Sequence, residues 1–151
     1  MRRPIAAVAL IAIALALVGC RAATPPTTAA KEKPATVELV AGKEKLHRIT
    51  LTQKAADRLA IKTVEVAQAS GSSGRSKIPY SSIIYDAKGG AWAYVVDGAA
   101  LVFVRQAITV DDIVADAAGD YAILTKGPQP GRSVVSVGVA ELFGAEFEVG
   151  H

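Results

Sequence analysis

Few residues in this chain have chemistry to offer, and the first is a thiol. Cys20 is the single cysteine of the 151 residues, and it closes the run Leu17-Val18-Gly19-Cys20. Small and aliphatic residues ahead of a cysteine suit a lipoprotein signal peptidase, and the thiol is the atom that accepts a diacylglyceryl group. The pattern is that of a bacterial lipobox, with Leu17, Val18 and Gly19 as peptidase recognition residues and Cys20 as the lipid attachment site. A lone thiol excludes a disulfide framework and any CxxC metal or redox pair. Met1 is the only methionine, so the mature chain has no thioether for a soft metal.

The remaining candidates are weaker. His47 and His151 are the only imidazoles and lie far apart in sequence, so surface placement is expected rather than a zinc site. Asp111, Asp112, Asp116 and Asp120 lack the spacing of a calcium loop and read as a solvated turn between strands. No serine stands in a G-x-S-x-G elbow, and no P-loop or G-x-G-x-x-G follows a strand. Trp92, Tyr94 and Phe103 offer a stacking surface, but beside valines at strand spacing they read first as core. Lys43, Lys45, Arg48 and Lys54 are interleaved with Glu44 and Asp57, which is an ordinary solvated face. The expectation is a non-enzymatic protein with no catalytic, cofactor or metal residues.

Three segments must position these groups. Met1-Arg2-Arg3-Pro4 is a short basic start, and residues 5–18 carry no polar side chain. A membrane-spanning helix needs about 20 apolar residues, so 1–19 read as a signal peptide. Residues 20–35, with Pro25, Pro26 and Pro34 and no large apolar side chain, read as a flexible, lipid-anchored tether. Each buried methylene of an acyl chain contributes roughly 0.8 kcal/mol to anchoring. From Thr36 onward, 12 Lys and Arg face 13 Asp and Glu, so the overall charge of +3 is carried by the leading segments. Nucleic acid is therefore not an expected partner.

Residues 36–151 read as a mainly β domain, a small barrel or sandwich with one short helix. Ile49 and Leu51 alternate with polar neighbours, and Thr52 is placed to cap a helix over 53–60. Alternation returns over 61–66, and the Gly/Ser-rich stretch 69–77 breaks it. Strands are expected over 78–85, 92–96, 101–105, 108–110, 121–124 and 133–137. Asp97-Gly98 and Gly127-Pro128-Gln129-Pro130-Gly131 mark reversals among them. One helical turn is expected after Val139.

The order of these pieces resembles the periplasmic adaptor subunits, or membrane fusion proteins, of RND-type and related efflux pumps. The resemblance rests on Ile49-Thr50-Leu51-Thr52, Leu59-Ala60 and Ile61-Lys62-Thr63-Val64-Glu65-Val66. It continues in Ile78-Pro79-Tyr80-Ser81-Ser82-Ile83-Ile84-Tyr85, Ala91-Trp92-Ala93-Tyr94-Val95 and Phe103-Val104-Arg105-Gln106-Ala107-Ile108-Thr109-Val110. It closes in Gly127-Pro128-Gln129-Pro130-Gly131 and Val134-Val135-Ser136-Val137-Gly138. The family usually has glycine where Ala60 stands. In that family the two stretches open and close a membrane-proximal β-domain, and a barrel, a lipoyl domain and a helical hairpin lie between them. Here 69–77 stands in that place.

The resemblance implies an efflux accessory protein. It would be held to membrane lipid through acylated Cys20, on the extracytoplasmic face of a bacterial membrane, and would have an RND or ABC-type inner-membrane permease as partner. It implies no reach toward an outer channel, and it sets no oligomeric state. Two other readings stay open: a small-ligand or metal-binding envelope lipoprotein using the strands around Trp92 and Phe103, and a structural envelope lipoprotein. Arg21 is not the aspartate that retains many lipoproteins at the inner membrane, so either membrane suits the anchor. Cys20→Ala is expected to abolish lipidation and leave uncleaved precursor, which mass measurement of the membrane-extracted protein reads directly.

Overall fold

The structure is a computed structural model that describes residues 33–43, 45–71 and 74–148, the last without its side chain. The segment expected as a signal peptide (1–19), the lipobox pattern with Leu17, Val18, Gly19 and Cys20, most of the expected tether and His151 lie outside the described residues.

Short alternating segments become strands because one or both of their faces are covered. Among the described residues these are β1 (Ala35–Leu39), β2 (His47–Leu51), β3 (Lys62–Glu65), β4 (Ala67–Gln68), β5 (Ser76–Pro79) and β6 (Ile83–Tyr85). They continue as β7 (Ala91–Val96), β8 (Val102–Ala107), β9 (Thr109–Asp116), β10 (Gly119–Lys126) and β11 (Ser133–Val137). The helices are α1 (Gln53–Arg58) and α2 (Val139–Glu148). The larger sheet runs β1-β2-β8-β7-β11-β3, with β6 also on β7, and the smaller runs β4-β5-β10-β9. Every pairing is antiparallel.

Side-chain alternation divides the interior into two layers. Tyr94 of β7 and Val135 of β11 join Ile49, Leu51, Phe103, Ala55, Ala56, Val139 and Leu142 under the helices. Their neighbours Ala93, Val95 and Val134 point the other way and meet Val66, Ile78, Ile108, Ala122 and Leu124. The larger sheet is therefore covered on one face by helices and on the other by the smaller sheet, a sandwich-like fold with no closed barrel among the described residues. The chain changes sheet at buried corners. Val66 lies between β3 and β4, where its N–H donates to Arg132 O at 2.7 Å and its carbonyl accepts from Gly131 N at 3.0 Å. Ile108 turns β8 into β9 with its N–H on Ala91 O at 3.0 Å.

Several local expectations are corrected. The stretch 78–85 is not one strand: Tyr80–Ser82 form a 3-10 turn that carries the chain from the smaller sheet to the larger. The preceding Pro79 has no N–H with which to continue a ladder. The stretch 69–77 is not a bare break to its end, because Ser76 and Lys77 belong to β5 and pair with Gln68 and Ala67 across the turn. The acidic stretch is not a turn either, since Asp111, Asp112 and Asp116 stand on β9 and Asp120 on β10.

The single expected helix is joined by a second, because α2 runs ten residues instead of one turn. Val139, Leu142 and Glu146 recur at i, i+3 and i+7 and are all buried. That burial carries the helix through Gly144, whose cost of about 1 kcal/mol relative to alanine is what made a stop look natural.

Thr52 caps α1 as its position predicts, with its Oγ1 accepting from Ala55 N at 3.2 Å. The helix closes by Ile61 N on Ala56 O at 3.0 Å and Ala60 N on Asp57 O at 3.1 Å, the paired bonds of a Schellman end. Such an end needs a left-handed residue, and Ala60 sits there at φ 50°. Gly138, at φ 85°, is the opposite case. A Cβ on it would run into Ile61 Cδ1 and come within 3.0 Å of Leu59 O. Ala60→Gly is expected to stabilise the domain by about 0.5–1 kcal/mol. Gly138→Ala is expected to destabilise it by about 2 kcal/mol. Thermal unfolding of the two variants, with midpoints moving in opposite directions, checks both.

Candidate functional site

The helix-covered face of the larger sheet carries charge at one end of its apolar layer. On β8 the alternation that buries Phe103 also turns Arg105 inward, and Arg105 is the direct cross-strand partner of Tyr94 on β7. Glu146, on the buried stripe of α2, meets both. Its side chain is 0% exposed and that of Arg105 is 8% exposed. Arg105 Nε donates to Glu146 Oε1 at 2.8 Å, and the Tyr94 hydroxyl donates to Oε2 at 2.6 Å. His47 Nδ1 lies 3.2 Å from Oε1. A carboxylate only accepts, so this ring nitrogen is the one that carries hydrogen. Arg105 Nη2 also donates to Lys45 O at 2.9 Å, tying the segment before β2 into the cluster.

Trp92, two residues before Tyr94, stacks beside this network. The Arg105 guanidinium lies 4.5 Å from the Trp92 ring centroid and 5.2 Å from that of Phe147. Trp92 Nε1 donates to Asp86 Oδ2 at 2.9 Å, while Asp86 Oδ1 accepts from Lys88 N and Gly90 N at 2.8 Å each. The indole hydrogen bond, followed by these two amides, holds the Asp86 carboxyl below its ordinary 3.8. Gly90 permits the approach, since a Cβ there would lie 2.8 Å from Asp86 Oδ2 and 3.1 Å from Trp92 Nε1.

Above these groups is an open groove of about 840 Å³. Trp92, Phe143 and Phe147 supply its apolar wall, and Lys45, Lys88 and Arg105 its cations. Phe143 and Phe147 pack against each other with centroids 4.8 Å apart. Burial, and then the bond to Glu146, push the Tyr94 phenol far above its ordinary 10, so it serves as a neutral donor. With Glu146 enclosed and holding three donors, the arrangement is suited to presenting rings and positive charge rather than to moving a proton.

The residues singled out from the sequence fall in different places. His47 is half-buried in the cluster instead of lying on the surface. Lys45 lines the groove, while Arg48 faces away and pairs with Asp97 at 2.7 Å. Lys43 lines a second hollow together with Arg48, and Lys54 is exposed on α1, so the four cations are divided among different places. Tyr94 and Phe103 are fully buried, and of the three aromatics only Trp92 reaches the groove. Asp111 pairs with Arg75 at 2.6 Å and Asp116 with Lys77 at 3.4 Å. Among the described residues no three His, Cys, Asp or Glu side chains gather as a metal set, and no helix is long and apolar enough to cross a membrane.

Arg105 and Glu146 are the residues the sequence reading missed. Their signal was phase: each is a charge at the apolar position of its element's period, two residues after Phe103 and four after Leu142.

No family model, curated protein or solved structure matches the chain.

Removing one partner of an enclosed ion pair strands the other. Glu146→Ala is therefore expected to cost about 3–5 kcal/mol. Tyr94→Phe, which leaves the carboxylate with Arg105 and His47, is expected to cost about 1–2 kcal/mol. Chemical denaturation of both variants checks this ranking, and a reversed order would contradict the assignment of Glu146 as the hub.

Proposed function

We propose that the chain is a non-enzymatic, lipid-anchored accessory protein of an envelope transporter, a minimal relative in kind of the membrane-proximal domain of efflux adaptors. The observation that carries this reading is how the two stretches of the resemblance interleave. β2 from the first stretch lies beside β8 from the second, and β3 from the first lies beside β11 from the second, within one sheet. Segments that a family separates by a large insertion must still fold as one body, and these do so without it. The place of the insertion is the turn between β4 and β5, where Ala69 N donates to Arg75 O at 3.1 Å. Closely spaced ends at the margin of a small sheet are what a tolerated insertion requires.

The lipobox at Cys20 and the proline-rich tether support attachment to the extracytoplasmic face of a membrane, with an RND or ABC-type permease as the docking partner. In-cell photo-crosslinking of the lipidated protein, with the crosslinker at exposed Ile113 or Leu39, is expected to recover such a permease. Recovery of cell-wall material or the protein itself alone, together with unchanged efflux in a deletion strain, would overturn the proposal.

A further inference from the structure

We infer that the groove over Arg105 is a binding site for a small aromatic carboxylate. The inference does not depend on transporter docking, and the two readings fail separately: one on partner recovery, the other on ligand binding.

Charge complementarity sets the sign of the ligand. The acids of the region are already engaged, Glu146 by Arg105, Tyr94 and His47, and Asp86 by the Trp92 indole and two backbone amides. The cations are not matched in the same way. Among the described residues Lys45 and Lys88 form no ion pair, and Arg105 Nη1 has no protein partner. Arg105 is held by its Nε and Nη2 bonds and by the rings on either side of it. Arg105 thus lines the groove with a side chain already immobilised, which lowers the entropy lost on binding an anion.

The wall sets the body of the ligand. Trp92, Phe143 and Phe147 are rigid rings around a volume in the range of small-molecule sites. Flat aromatic surfaces pack on such rings by offset or edge contacts. A flexible acyl chain would instead lose its rotamer freedom on a short, open surface. A carboxylate with a planar apolar body meets both requirements: its anion meets the cations that line the groove, Lys45, Lys88 and Arg105, and its ring lies on the aromatic wall.

Trp92 is the only tryptophan in the chain and lines this groove; it also borders a second hollow beside Arg48 and Arg132, which Lys45, Lys88 and Phe147 do not line, so variants at those three residues assign the quenching to the groove. The test uses the full chain as cells produce it, held in phosphatidylcholine vesicles, with three quenchers of one shape and different charge. These are 4-nitrobenzoate, 4-nitrobenzyl alcohol and 4-nitrobenzylamine. Saturable quenching by the benzoate is expected, with the alcohol at least about tenfold weaker and the amine weaker still. Lys45→Gln combined with Lys88→Gln is expected to weaken the benzoate about tenfold and leave the alcohol unchanged. Both lysines are exposed, so the fold is not at stake. Phe147→Ala, which removes a half-exposed ring, is expected to weaken both the benzoate and the alcohol. Equal affinity for the three quenchers, purely collisional quenching, or benzoate binding unmoved by the paired lysine change would each overturn the inference.

Discussion

The contact between Glu146 and Arg105 joins parts of the chain that have little else in common. One residue lies near the end of the described chain, on a helix. The other lies in the middle of the larger sheet, 41 positions earlier. With its side chain removed from water, the carboxylate is tolerable only while guanidinium, phenol and imidazole all converge on it. This condition fixes the register of α2 over the sheet, the rotamer of Arg105 and the seating of Tyr94 together. Because Arg105 also holds Lys45 O and stacks on Trp92, the same pair orders the walls of the groove above it.

The two sheets are joined through a shared pair of central strands. β7 and β11 are covered on both faces and form the common floor of the two apolar layers. The chain leaves and re-enters the larger sheet at Val66 and Ile108, and each corner anchors its amide on a backbone carbonyl. The smaller sheet hangs from those corners. Its long hairpin of β9 and β10 carries register shifts around Leu124 that bend it. An apolar layer of alanine, valine, leucine and isoleucine fills the space between the sheets.

Much of this was legible because it is local. The Thr52 cap, the alternation around Ile49 and Leu51, and the turns at Asp97-Gly98 and 127–131 are each written within a few residues. The misreadings share a different cause. The 3-10 turn inside 78–85 and the full length of α2 are decided by which sheet or face a segment meets, and that partner lies tens of residues away. The site is the extreme case. Its carboxylate belongs to α2, its cation to β8, its phenol and indole to β7 and its imidazole to β2. No spacing rule links them, and only the out-of-phase charges at 105 and 146 betray that something must neutralise them.

The acidic stretch that suggested a calcium loop has another consequence. β9 is the open margin of the smaller sheet, and its backbone donors and acceptors on that side are a template for pairing with another chain. Asp111, Asp112 and Asp116 stand on that strand, the first and last held by Arg75 and Lys77, while the opposite margin, β4, is only two residues long. Two copies meeting margin to margin would have to strip water from these carboxylates and the cations they hold. The cost of that dehydration guards an edge that a neutral strand would leave open to pairing.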